Sequence, residues 1–268
     1  MTNITRPCIV LFTFLTIIAG SCKKETAKDV PAEDSKPIVT TPPDEDADTG
    51  KIYLPVQIAG GSSKITFGYN HQSLSKIEYL TENRSVVLSF DAKNNPLQLE
   101  KFSGETLTYL AEYTLDEHDR VVRSDQYTVA KNQYKLTGYY TLEYETRHQP
   151  ERITYFNIQR LKINEKLRSY DLAGNLLRET RSSPEQILNY TYDVKNAVFK
   201  NAGYVWLFAL ETEDDLLLSQ LNNIVLASAD SSKPENLKVS YVYNKQDYPE
   251  AITMATEGDV LTYKVIYQ

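Results

Sequence analysis

The residues of this chain that could do chemistry are few and scattered. The cysteines are Cys8 and Cys22, both near the start. The histidines, His71, His118 and His148, are far apart and lack the spacing of metal ligands. Asp44, Asp46 and Asp48 alternate like the opening of a calcium loop. Such a loop needs glycine at its sixth position and a carboxylate at its twelfth. Here those positions are Thr49 and Pro55, so the run reads as a solvated acidic linker. A second acidic run, Glu211-Thr212-Glu213-Asp214-Asp215, follows an apolar stretch. Paired acids can cleave a glycosidic bond. Yet Asp91, Asp116, Asp171 and Asp193 all recur at one place in a repeated turn pattern, which accounts for them. G-x-S-x-G, H-E-x-x-H, P-loop and dinucleotide motifs are absent. The expectation is a non-enzymatic protein with no catalytic residue, no metal site and no cofactor.

Cys22 is the one reactive group with a legible context. Arg6 precedes an apolar run from Cys8 to Ala19, interrupted by Thr13 and Thr16. A spanning helix needs about 20 apolar residues, and a signal-peptide core only about 7–15. The run Ile17-Ile18-Ala19-Gly20-Ser21-Cys22-Lys23-Lys24 resembles the lipobox of bacterial lipoproteins. That resemblance implies a signal peptide over 1–21, lipidation of Cys22 and anchoring to the outer membrane, on its surface-exposed or periplasmic face. Each buried methylene is worth about 0.8 kcal/mol, so several acyl chains on one residue anchor firmly.

Residues 22–50 read as a lipidated cysteine and a disordered tether. They contain Pro31, Pro37, Pro42 and Pro43, eight acidic residues and no aromatic. Such a segment buries too little surface to offset its ordering entropy. Residues 51–268 then form one domain without cysteine, large enough to be held by its own core. The formal net charge is −7, shared between tether and domain, with no basic face, which argues against nucleic acid.

All 20 tyrosines lie after residue 50, a composition that suits strands. Anchor residues recur at Tyr69, Phe90, Leu115, Tyr144, Tyr170, Tyr192 and Tyr243, each followed by Asn or an acid. Four residues beyond the anchors stand Ser73, Asn94, Asp119, His148, Gly174, Asn196 and Asp247, most of which tolerate left-handed backbone. Proline occupies the sixth position in three units, as Pro96, Pro150 and Pro249. Before each anchor, apolar residues alternate with small polar ones, the period of a half-buried antiparallel strand. The unit is strand, Asx-type turn, strand. The fifth unit puts Lys166 and Arg168 at apolar positions, which predicts an edge or a poorly covered stretch.

The best-formed unit, Tyr170-Asp171-Leu172-Ala173-Gly174-Asn175-Leu176, resembles the YD (RHS-type) repeat, and the others are degenerate copies. With the later runs Tyr192-Asp193-Val194-Lys195-Asn196 and Leu221-Asn222-Asn223-Ile224, the chain resembles an uncharacterised family of Gram-negative envelope lipoproteins with a porin-like fold. The resemblance implies a fold and carries no catalytic or binding residue.

The expected architecture is all-β: a long antiparallel meander of hairpins, about 14 to 16 strands, forming one strongly curved sheet or an incomplete barrel. Such a barrel is too wide for its own side chains to fill. A short helical or irregular plug near 199–230 is expected to cover the apolar face. It carries Tyr204, Trp206, Leu207 and Phe208, and Thr212 with Asp215 resembles a capping box opening a short helix. Tyr204 and Trp206 are the candidate ligand contacts. Tyrosine and tryptophan suit a non-catalytic binding module for glycan or protein. The alternative is a structural or assembly lipoprotein of the outer envelope. A transmembrane pore fits less well, because the strands are short and rich in Lys and Arg, and the chain closes on Ile266-Tyr267-Gln268.

Overall fold

The computed structural model describes residues 50–145, 149–229, 236–256 and 259–268, all within one unit that runs from Asp46 to Gln268. Segment 1–21, residues 22–49 with Cys22, the Asp44-to-Asp48 run and His148 lie outside the described residues. Twelve strands precede a helical insertion: β1 (Pro55–Gly60), β2 (Ser63–Asn70), β3 (Ser73–Tyr79), β4 (Arg84–Phe90), β5 (Pro96–Ser103), β6 (Thr106–Leu115), β7 (Val121–Ala130), β8 (Gln133–Glu143), β9 (Arg152–Asn157), β10 (Lys162–Tyr170), β11 (Leu176–Ser182) and β12 (Glu185–Tyr192). The insertion holds α1 (Val205–Thr212) and a 3-10 turn, Asp215–Leu218. Four strands follow: β13 (Ile224–Ala229), β14 (Asn236–Tyr243), β15 (Pro249–Ala255) and β16 (Val260–Tyr267).

Each strand pairs antiparallel with its sequence neighbours, and β1 pairs with β16 through Ile58↔Val265, so the sheet is a closed 16-strand barrel. This corrects the expectation of an open or incomplete one. Closure removes both free edges, which an open meander would leave unpaired. The expected plug over 199–230 is also trimmed: Ile224–Ala229 is a wall strand, and the insertion is the connection from β12 to β13.

The sequence repeat has a physical basis in one rim. Every anchor lies within one residue of the end of an even-numbered strand, on the rim where the chain leaves toward the next odd one. The Asx residue at the first turn position binds its own loop. Asp91 Oδ1 accepts from the backbone N–H of Lys93 and Asn95, Asp116 from His118 and Arg120, and Asp171 from Gly174 and Asn175. Asn94, Asp119, Gly174 and Asp247, each four residues after an anchor, have positive φ. Pairing slips by one residue at six anchors, leaving an extra residue on the following strand. Leu97 and Leu177 are such residues, and this is why both leucines are exposed. The anchor hydroxyls reach back across the hairpin: Tyr69 donates to the carbonyl of Pro55, Tyr144 to Val121, Tyr170 to Pro150 and Tyr192 to Leu176, at 2.7–3.0 Å.

Inside the wall, Phe67, Leu74, Ile77, Leu88, Leu99, Ile153 and Ile252 enclose Phe199, Val205, Leu207, Phe208 and Leu217 of the insertion in one buried cluster. Phe67 meets Phe199 edge-on at 5.1 Å between ring centres. Outside, paired charges alternate with the inward side chains on several strands, among exposed apolar residues such as Leu167, Val242 and Ile266. Lys76 pairs with Glu78, Arg123 with Asp125, and Arg152 with Glu143 and Glu165.

Pairing of β8 with β9 begins at Gly138↔Asn157, whereas β8 pairs with β7 down to Gln133. A methyl group on Gly138 would overlap the carbonyl oxygen of Phe156. Gly138→Ala is expected to cost about 1–3 kcal/mol by overpacking, read as a lower urea midpoint at unchanged slope. An unchanged midpoint would show that β9 yields there.

Candidate functional site

The insertion leaves β12 at the rim of Asx turns and folds back into the barrel. It is pinned at that rim by backbone bonds from Gly203 N–H to the Gln72 carbonyl and from Leu74 N–H to the Gly203 carbonyl. α1 starts at Val205, behind Tyr204 with its left-handed backbone, and not at Thr212. Thr212 instead ends the helix, its hydroxyl donating to the Phe208 carbonyl, while Asp214 caps the 3-10 turn by accepting from Leu216 N–H. The expected capping box is thereby corrected: the apolar run 205–210 takes the helix because it faces a closed apolar wall.

The acidic run that follows is a set of three latches to the wall. Glu211 accepts hydrogen bonds from the hydroxyls of Tyr109 at 2.7 Å and Tyr140 at 2.8 Å, and Lys101 Nζ donates to its backbone carbonyl. Gln126 donates to the Tyr109 hydroxyl, extending the network to β7. Burial, reinforced by the Glu211 carboxylate, pushes the Tyr109 and Tyr140 hydroxyls well above the ordinary tyrosine range, so both remain donors. Glu213 pairs with Lys166 at 3.2 Å. Asp214 accepts from the Tyr79 hydroxyl at 3.2 Å. Burial raises the Asp214 pKa, and the bonds from Leu216 N–H and Tyr79 only partly offset it.

Lys166 and Arg168 are not at an edge. β10 lies between β9 and β11, and both side chains are buried, which corrects the expectation of a poorly covered stretch. They alternate inward because counter-charges wait there. Arg168 Nε donates to Glu179 at 2.7 Å, and Arg181 holds the other oxygen at 2.7 Å. Burial pushes the Glu179 pKa up, but the charges of Arg168, Lys166 and Arg181 outweigh it and hold the group at about 2.

Tyr204 tilts against Phe90 at 5.6 Å, and half-buried Trp206 lines a void of about 10 Å³ beside Arg168, Asn175 and Leu218. A second void, about 20 Å³, lies between Leu216 of the insertion and Leu237, Val239 and Met254 of the wall. Each holds no more than about one water. A larger hollow, about 450 Å³ and polar, opens beside the β8–β9 connection against Glu143, Glu151 and Arg152. His71 and His118 sit in turns, and among the described residues no cluster of three or more His, Cys, Asp or Glu could hold a metal.

The latches were missed by sequence reasoning. A signal existed: Lys166 and Arg168 at inward positions demand carboxylates, and Glu211, Glu213 and Asp214 follow the run that fills the barrel.

No family model matches the sequence, and no curated protein does either. Among solved structures, the fold is similar to that of a porin-like protein from Bacteroides uniformis, at 12% identity and a TM-score of 0.55. That match covers 81% of this chain and 95% of the other. A porin-like protein from Bacteroides vulgatus is similar at 8% identity and a TM-score of 0.50, covering 81% of this chain and 99% of that one. At these identities the likeness is one of fold.

Proposed function

We propose that this chain is a lipid-anchored envelope protein, held through Cys22, whose plugged barrel is a non-catalytic binding module for protein or glycan. The observation that carries this reading is the pairing of a filled interior with a charged exterior. The insertion occupies the plugged end and is latched to β3, β6, β8 and β10, which speaks against conduction through the barrel. Lys76, Arg123 and Arg152 face outward, and a Lys or Arg on a lipid-facing barrel wall costs about 2–4 kcal/mol at the bilayer midplane. The wall is thus suited to water, and membrane attachment falls to the lipid. Both ends of the domain meet at the plugged rim, where Gln268 N–H donates to the Leu54 carbonyl. The opposite rim, whose described connections are short hairpins, lies away from the point where the chain enters β1 and is the natural place to present to a partner.

A thermal-shift screen of the Cys22→Ser chain against envelope and dietary glycans tests the binding role. A ligand at 100 times its Kd adds about 2.7 kcal/mol of stability. A shift with one glycan class, or an envelope protein recovered by crosslinking in cells, is the expected outcome. Failure of both, or steady conductance of the purified protein in a planar bilayer, overturns the reading.

A further inference from the structure

The hairpin rim is uneven. β8 extends beyond β9, so Gln133–Thr137 of β8 stand past the end of β9 with no strand paired along that edge among the described residues. The step is five residues high, about 15 Å. Its tip is a two-residue turn in which Lys131 and Asn132 both have left-handed backbone. Its floor is the β9–β10 turn, where Asn157 caps Leu161 N–H and Arg160 has positive φ.

The composition of this step is unlike the rest of the protein. Residues 128–137 and 156–164 contain no acid, in a chain of net charge −7. Tyr134 is 57% exposed and Leu161 63%, and Leu136, Ile158 and Ile163 are exposed beside them. Lys162 is held by Glu165, whereas Lys131, Lys135 and Arg160 have no acidic partner among the described residues. Lysines at a free strand edge guard against pairing with another copy, and here two β8 edges would bring like charges together. An acidic strand meets no such penalty.

We infer that the β8 edge at Gln133–Thr137 receives an extended, acidic and apolar peptide segment of a partner protein as an added strand above the β9–β10 turn. Backbone pairing supplies affinity, while Lys131, Lys135 and Arg160 select acidic side chains and Tyr134, Leu136 and Leu161 the apolar ones between them. The inference rests on the binding role proposed above and gives it a place and a class of partner.

The test uses the full chain as Cys22→Ser, isotope-labelled, with a fluorescein-tagged peptide of alternating glutamate and valine. The expected result is saturable binding with amide shifts centred on Gln133–Thr137, weakened about tenfold or more by Lys131→Glu with Lys135→Glu. Both substitutions are at exposed tip positions, so the fold is retained. The same variant should gain affinity for a lysine–valine peptide. No saturable binding up to about 1 mM peptide overturns the inference. Binding elsewhere, unmoved by the charge reversal, overturns the site and leaves the binding role standing. Phosphatidylglycerol vesicles bound through these lysines, with the peptide ignored, would make the tip a membrane contact and overturn the peptide assignment.

Discussion

Phe208→Ala lowers the stability of the barrel by about 3–5 kcal/mol. Phe208 is fully buried between α1 and the wall, in the same cluster as Ile77, Leu88 and Leu99 of the strands. Its removal leaves a cavity that both sides are too constrained to fill, since α1 is fixed at Gly203 by the β2–β3 turn and at Glu211 by Tyr109 and Tyr140. In a domain of this size each kcal/mol shifts the melting midpoint by about 2–4 °C. A single cooperative transition, moved down by about 10 °C, is the expected melt. A loss below about 1 kcal/mol would mean that the insertion does not contribute to the core and that the barrel stands without it.

Glu179→Ala costs about as much by a different route, about 3–5 kcal/mol, because it strands Arg168 and Arg181 without their carboxylate. Titration gives an independent reading of the same site. The Glu179 pKa is held at about 2 in the folded protein, below the 4.5 of the free side chain. Its folded value is depressed, so its contribution is fully present above about pH 4.5 and is lost as pH falls toward 2. The loss is worth about 3 kcal/mol over that window. Urea midpoints measured between about pH 6 and pH 2 should fall steeply for the parent chain and distinctly less for Glu179→Gln. Parallel curves would show that Glu179 is not the group whose protonation weakens the acid state.

The repeat was legible because it is local. An Asx side chain closing its own turn, a left-handed residue three places on and a proline starting the next strand are set within seven residues. The alternation before each anchor likewise named the inward face. Barrel closure was not legible, since pairing of β1 with β16 joins residues at opposite ends of the domain. The plug's place and apolar content are legible in the sequence, but the start of its helix is not. The polar Thr212–Asp215 pattern resembled a helix start, whereas the apolar run before it had a buried wall to pack on. Lys166 and Arg168 look exposed in the sequence because their partners, Glu213 and Glu179, come from other elements. The rim step at Gln133–Thr137 was beyond a reading of single strands, because it arises from the difference in length between β8 and β9.

Under the proposed function the barrel wall meets water, and only a lipid on Cys22 holds the protein to a membrane. Replacing that residue by serine and fractionating the cells without detergent tests it most directly. Cys22→Ser is expected to leave the membrane fraction and to sediment as a β-rich monomer in plain buffer. Retention in the membrane that only detergent releases would contradict it, and would place the charged wall in lipid after all.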